Sequence, residues 1–263
     1  MDGPVSMGPP CEIQLNSGRM VNNDKKDELD SPLTLPNLLF SAWVYLVLLA
    51  CFIANWFLNL LAPSEILRRK ITKLSTRIMC SLAGVSITRK IKSTPPTQAI
   101  YVANHTSFID VPVIYSTLPF PFSFVAKREL LRLPLISLFF RRLGTQFIER
   151  FNPLEAKRGL REMERVIQAG DSLCFFPEGT FQAKPGVMPF RSGAFHLAER
   201  FNLPIVPVSL KGTREVLRAG RWSLRRVPIV ITVHPPVEPG PLKGTKEKVR
   251  QIIAKGCAER LLE

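Results

Sequence analysis

Hydrophobic and polar positions along this chain fall into three textures. The first 35 positions have no periodic apolar residues and are rich in Pro, Gly, Asn and Asp, the composition of a disordered tail. Leu38 to Ala62 follows as 25 residues without a charge. As a helix this run is about 37 Å long, against roughly 30 Å of bilayer hydrocarbon. Soluble core helices rarely stay apolar on every side for that length. Trp43, Tyr45 and Trp56 suit a membrane interface, and the polar Asn55 and Asn59 share one helix face at spacing i, i+4. No basic segment closely precedes the run, so it is not read as a signal peptide. Pro63-Ser64-Glu65 then opens a second helix. It mixes Arg68, Arg69, Lys70, Lys73 and Arg77 with Ile66, Leu67, Ile71, Leu74 and Ile78, and no acid falls between Leu67 and Lys92. A greasy helix beside a basic amphipathic one docks on an anionic bilayer surface. The plainer reading of the second is a charged helix packed on the domain. Pattern alone leaves open whether the first spans or lies in one leaflet; a spanning path puts the basic flank in the cytoplasm.

From Thr97 the texture alternates. AIYVAN, FSFVAK, TQFIER, SLCFFPE, IVPVSLK and VPIVITVHP read as strands. Helical patterns lie over 108–117, 130–143, 153–169 and 192–200, with a last helix over 245–262. Strands alternating with helices predict an α/β fold: a mixed, mostly parallel sheet flanked by helices, with the membrane-associated helical pair N-terminal to it. The predicted organisation is a tail over 1–35, anchoring helices over 36–92 and an α/β domain over 93–263.

A chain of 263 residues, 46% apolar, has material for a large core. Its formal net charge of +15 calls for an anionic partner. The first 35 residues contribute −3 and positions 36–62 nothing, so the remainder carries +18. The basic residues gather beside the apolar run, where lipid is a simpler partner than nucleic acid, and no zinc-finger or RRM pattern occurs. Cys11, Cys51, Cys80, Cys174 and Cys257 are scattered, odd in number and without a CxxC pair. They fit neither a disulfide framework nor a zinc site and read as reduced thiols facing the cytosol.

Against that background the segment NHTSFID, residues 104–110, joins one of only three histidines to a carboxylate at the end of a buried strand. Five residues do not share a face of a regular helix. The pair works only if His105 sits in the loop entering a helix and Asp110 lies on its first turn. Asp110 then accepts a proton from one ring nitrogen and leaves the other as a base, with Thr106 or Ser107 available to cap the helix. Taken singly, a strand-end histidine is more often a satisfied core residue. FPEGT, residues 176–180, places an acid at a Pro/Gly turn after a strand, where glycine lets backbone approach a ligand; alone it is an ordinary surface turn. Lys127, Arg150 and Arg191 lie at strand ends or in loops, the usual crevice of an α/β sheet, and arginine grips phosphate with two donors. Singly, each is a surface charge.

Together, N-H-x4-D at 104–110, F-I-x-R at 147–150, F-P-E-G-T at 176–180 and Pro-Ile-Val-Pro-Val at 204–208 are ordered and spaced in a way that resembles the glycerolipid acyltransferase family. Its best-known members are the lysophosphatidate (1-acyl-glycerol-3-phosphate) acyltransferases. The resemblance implies a membrane-bound enzyme that moves a fatty acyl group from a thioester to a glycerolipid hydroxyl. It implies an N-terminal helical anchor, acyl-CoA or acyl carrier protein as donor, and no other cofactor or metal. It makes His105 and Asp110 the catalytic dyad, puts Arg150, Glu178 and Gly179 in the acceptor phosphate site and sets Lys127 near the catalytic centre; Thr180 of the same turn and the loop cation Arg191 are added to the expected substrate site from their positions. Two departures are Phe181, where many members have Arg or Ser, and Glu149, where Asp is common.

An acyl thioester is already activated. The enzyme needs a base for the acceptor hydroxyl, a clamp for the acceptor and donors for the oxyanion. His105 supplies the base, Asp110 fixes its tautomer, and Lys127, Arg150 and Arg191 hold phosphate. Glu178 orients an arginine or a glycerol hydroxyl. The expected partners are the bilayer, a lyso-lipid acceptor and the acyl donor, with the site on the cytoplasmic side and no nucleic acid bound. Other acceptors stay open: a lyso-ornithine lipid, glycerol-3-phosphate or a lysophospholipid with a larger headgroup. A serine acyl hydrolase using Ser107 is the reading from a different class, although no G-x-S-x-G elbow occurs.

Overall fold

Short apolar runs form strands here because neighbouring elements cover them on both faces. The structure, a computed structural model, describes residues 35–119, 121–149 and 153–263. The tail expected over 1–35 therefore lies, except for Leu35, outside the described residues. Two helices, α1 (Leu35–Leu61) and α2 (Glu65–Leu82), precede β1 (Ile87–Ile91), β2 (Ile100–Ala103), α3 (Asp110–Thr117), β3 (Phe122–Lys127), α4 (Pro134–Arg142) and β4 (Gln146–Ile148). Then come α5 (Pro153–Gln168), β5 (Ser172–Phe175), α6 (Gly193–Arg200), β6 (Ile205–Lys211), α7 (Thr213–Val216), β7 (Ile229–Val233) and α8 (Leu242–Cys257).

The seven strands make one sheet in the order β1-β7-β6-β2-β5-β3-β4. All neighbours are parallel except β6 and β7. The C-terminal ends of β6, β2, β5, β3 and β4 therefore share one edge, and each expected site residue among the described residues ends or follows one of those strands. Alternate residues of the central strands feed two cores. Tyr101 and Ala103 pack in one cluster with Phe122 and Phe124 and with Val44 of α1 and Ile114 of α3. Ile100 and Val102 pack in the other with Leu173, with Met163 of α5, Phe195 of α6 and Ile253 of α8. Burial on both faces is why β2 reads as a continuous apolar run.

Three segments differ from the sequence reading. Ile87–Ile91, inside the stretch assigned to anchoring helices, is an edge strand that pairs with β7. Its exposed Arg89 and Lys90 are typical protection for a sheet edge and hid its strand character. The helix expected over 130–143 is split. Leu133 is extended before Pro134, leaving a 3-10 turn at Arg128–Arg132 ahead of α4. The last helix stops at Cys257, where Ala258 adopts φ +59, and the tail turns back to bridge Leu261 to Val187.

Among the described residues, α1 is the one helix long and apolar enough to cross a membrane. One of its faces, with Phe40, Val44, Val47, Asn55 and Asn59, is buried on the domain, while Leu39, Leu46, Ile53 and Phe57 are exposed. Asn59 Nδ2 donates to Asn55 Oδ1 at 2.7 Å and to Thr72 Oγ1 at 3.2 Å, so the polar pair noted in the sequence pins α1 to α2. The cations of α2 turn largely inward. Arg68 donates to Arg142 O at 2.8 Å, Lys73 to Leu118 O at 2.6 Å and Arg77 to Ser116 O at 2.9 Å. These are carbonyls at the C-terminal ends of α4 and α3, where a helix leaves acceptors unpaired and favours positive charge. Arg69 joins Asp171 and Glu65 at 2.6 and 2.5 Å. The packed-helix reading thus describes Arg68, Arg69 and Lys73, while Lys70, Arg77, Ile66, Leu74 and Ile78 stay exposed.

Candidate active site

β2 ends at Ala103, and Asn104 extends its pairing by one more step. Its Nδ2 donates to Leu210 O at 2.9 Å and its Oδ1 accepts from Leu210 N at 2.8 Å. The side-chain amide substitutes for a backbone pair, and the chain leaves the sheet at His105.

The loop that follows folds around one carboxylate oxygen. Asp110 is the first residue of α3 and is 0% exposed. Its Oδ2 accepts from Thr106 N at 2.6 Å and Ser107 N at 2.9 Å, and lies 2.8 Å from His105 Nδ1. An oxygen accepting two backbone N–H groups presents only lone pairs, so Nδ1 is the donor and Nε2 carries the ring's free lone pair. A loop histidine and an acid on the first helical turn thus meet at the spacing that a regular helix would have kept apart. Capping runs opposite to expectation. Neither Thr106 nor Ser107 caps α3; Ile109 takes the N-cap position without a side-chain bond. The Thr106 hydroxyl instead pairs with that of Thr213 at 2.8 Å, and the Ser107 hydroxyl donates to Leu217 O at 2.9 Å. Ser107 is fully buried and so committed, which weighs against its use as a nucleophile.

FPEGT supports this loop from β5. Gly179, at φ +76, sends its N–H to Phe176 O at 2.9 Å and makes the turn that directs Glu178 inward. Glu178 Oε1 accepts from His105 N at 2.8 Å, and Oε2 from Met188 N at 2.8 Å. Burial pushes this carboxyl up to about 7, while the His105 and Met188 N–H groups pull it down, Glu259 acts upward and Arg214 downward. With both oxygens on main-chain donors, Glu178 holds the backbone of His105 and Met188, a role different from the expected one of orienting an arginine or a glycerol hydroxyl. Behind it, buried Arg214 pairs with Glu259 at 3.0 Å and donates to the carbonyls of Gln182 and Lys184. Glu259 also accepts from Gly186 N at 2.8 Å. The turned-back C-terminal tail therefore braces the strap that carries Glu178.

The His105 ring is held as well as its backbone. It stacks on Phe176 at 4.1 Å and meets Phe181 edge-on at 4.7 Å; Phe181 in turn touches Phe108 at 4.8 Å. The side chain keeps 16% exposure. The departure at 181 thus puts an apolar ring beside the histidine.

The structure brings His105, Asp110 and Glu178 into direct contact. Lys127 ends β3, two strands from β2 along the same edge, and is half-buried. Thr180 and Arg191 are exposed, with Arg191 N–H bonded to Pro177 O at 2.9 Å. Arg150 lies outside the described residues. Sequence reasoning assigned nothing to Asn104, Arg214 or Glu259, whose side-chain partners are 30 to 106 positions away. It also named no residues for an acyl chain. An apolar cavity of about 450 Å³ opens between α1, α2 and α3, lined by Leu48, Phe52, Met79, Val111, Tyr115 and Phe139. Val111 directly follows Asp110.

Residues 85–211 match the family model described as Acyltransferase. A 1-acyl-sn-glycerol-3-phosphate acyltransferase from Limnanthes douglasii is 34% identical over 215 residues, covering 74% of this chain and 76% of the relative. One of the same name from Haemophilus influenzae is 31% identical over 60% of this chain and 64% of its own length. Among solved structures, the 1-acyl-sn-glycerophosphate (LPA) acyltransferase PlsC from Thermotoga maritima superposes with TM-score 0.71 at 23% identity. It covers 85% of this chain and 95% of the other, a likeness of fold.

Proposed function

Because this chain belongs to the 1-acyl-sn-glycerol-3-phosphate acyltransferase family, we propose that it transfers a fatty acyl group from acyl-CoA or acyl carrier protein to the free hydroxyl of lysophosphatidic acid, giving phosphatidic acid. The observation that carries this reading is the His105–Asp110 contact, with Nε2 as the ring nitrogen left to act. Nε2 takes the hydroxyl proton as the oxygen attacks the thioester carbonyl, and Asp110 stabilises the imidazolium that forms. The collapsing intermediate expels the thiolate, which recovers that proton. No covalent enzyme intermediate is needed. Lys127, Arg150 and Arg191 hold the acceptor phosphate. The cavity beside α3 accommodates the acyl chain.

The anchoring helices place this chemistry at lipid. Leu224 N donates to Ser41 Oγ near one end of α1 at 2.8 Å, and Arg142 donates to Asn59 O at 2.9 Å near the other. Those points are about 27 Å apart along the helix. A helix held to the domain at both ends lies in one leaflet, and a crossing helix would have to release one end. The exposed apolar face of α1 then enters the cytoplasmic leaflet, with the site at headgroup depth.

The test is a purified-enzyme assay that crosses lysophosphatidic acid, glycerol-3-phosphate, a lyso-ornithine lipid and lysophosphatidylcholine with both thioester donors. Phosphatidic acid as the preferred product supports the reading. Turnover with another acceptor but none with lysophosphatidic acid overturns the acceptor assignment. Hydrolysis with a burst of acyl-enzyme would favour a serine hydrolase.

A further inference from the structure

The loop between α7 and β7 carries Arg218, Arg221, Arg225 and Arg226 and no acid over residues 217–228. At its tip Trp222 is 82% exposed, the most exposed of the large hydrophobic side chains among the described residues. This is not a loose excursion. Arg225 N bonds Val216 O at 3.0 Å and closes the loop's base, and Arg221 N bonds Arg218 O at 3.1 Å within it. The loop is also joined to α1 at three points. The Tyr45 hydroxyl donates to Trp222 O at 2.7 Å, Leu224 N donates to Ser41 Oγ, and the Arg226 guanidinium lies 4.6 Å from the centre of the Phe40 ring. At its start, Leu217 O takes the Ser107 hydroxyl from the loop that holds His105.

An indole held in water by a braced loop is unfavourable in solution. It is the usual side chain at a bilayer interface, where an apolar body and a polar N–H meet their preferred surroundings together. Arginines around it add attraction to anionic headgroups, about fivefold in affinity for each one near the surface. The loop adjoins the first turns of α1, whose exposed Leu39 and Leu46 continue the same apolar margin.

We infer that the Trp222 loop is a second membrane-contact element, which seats its indole among the headgroups of anionic lipids beside α1. The inference rests on the one-leaflet reading of α1. Through the Ser107–Leu217 bond it gives the bilayer surface a short mechanical path to the His105 loop.

The test uses the full chain in vesicles of phosphatidylcholine, alone or with one third phosphatidylglycerol. The emission of Trp222 is taken as the difference between wild type and Trp222→Phe, and that of α1 as the difference between wild type and Trp56→Phe. Quenching of the Trp222 signal by lipids brominated near the headgroup, with protection from aqueous acrylamide, is expected and should be stronger with phosphatidylglycerol. Arg221→Gln should raise the phosphatidylglycerol fraction needed for half-maximal quenching. A Trp222 signal open to acrylamide while the Trp56 signal is quenched by bromine overturns the loop assignment and leaves the α1 reading standing. Both signals open to acrylamide overturn both. Shielding that requires acyl carrier protein rather than lipid makes the loop a protein-docking surface and also overturns the assignment. A phosphatidylglycerol requirement unchanged by both Arg221→Gln and Arg225→Gln removes its anionic-lipid component.

Discussion

His105 and His234 each stand just past a buried apolar strand, β2 and β7, and their local sequences are alike: IYVANH and IVITVH. Tertiary placement separates them. β2 runs parallel to β6 and β7 antiparallel to it, so the two rings lie at opposite edges of the sheet. His105 meets a carboxylate and keeps some exposure. His234 is buried and its Nε2 meets the Ser209 hydroxyl at 2.9 Å. Burial holds its pKa down at about 4, and Lys92 acts in the same direction, so the ring is neutral across the physiological range. Gly256 of α8 lies against this pair so closely that a Cβ there would collide with both side chains. A strand-end histidine is equipped as a base when one nitrogen is engaged by an acid and the other reaches outward; with a hydroxyl partner and no exposure it is core.

The sharpest way to break this comparison is to remove each ring. His105→Ala should abolish acyl transfer in a protein that still folds and binds vesicles; wild-type turnover in the purified variant would end the dyad assignment. Asp110→Asn should lower kcat by a factor on the order of 10³ to 10⁴ by disturbing the tautomer and the imidazolium. An effect confined to KM would show that Asp110 does not act through the ring.

Glu178→Gln is the next smaller change. The amide offers one acceptor where the carboxylate offers two, so the backbone of His105 or Met188 loses a partner. Loosened positioning of the base should cost up to about 10²-fold in kcat with little change in KM. The same variant tests the pH behaviour. Because the folded-state value of about 7 lies above the ordinary 4.5, the stability tied to the protonated carboxyl is fully present below 4.5. It is lost as pH rises through about 7. The thermal midpoint of wild type relative to Glu178→Gln should therefore fall over that window, and a difference independent of pH would refute the burial argument. His234→Ala should have the smallest effect on catalysis. It leaves the Ser209 hydroxyl buried without its partner, costing about 1–3 kcal/mol of stability, with kcat/KM unchanged. A large loss of kcat/KM at retained stability would erase the distinction between the two histidines.

Much of the architecture was legible because short-range pattern follows from which faces are covered. Six of the seven strands and the main helices fall where periodicity places them, since parallel strands buried on both sides have little freedom in composition. β1 was not legible: an edge strand with exposed Arg89 and Lys90 has the composition of a charged connector. The basic face of α2 was legible as charge but not as direction, since its acceptors at Ser116, Leu118 and Arg142 belong to other helices. In the candidate site, the His105–Asp110 spacing was readable because both residues lie in one turn of chain. The job of Glu178 was not, because its partners are backbone groups 73 positions upstream and 10 downstream.

Local order along the chain was enough to specify the layering of helices on a sheet, the long apolar helix and the pairing of an imidazole with an acid five residues on. These depend on neighbours within a few turns, whose geometry the backbone itself dictates. Which histidine faces outward, which cations are turned inward and which carboxylate braces the His105 loop were settled by folding. Each depends on burial and on donors brought together from distant segments, and a hydrogen-bonding group has no assigned partner until the sheet has set which strand ends meet.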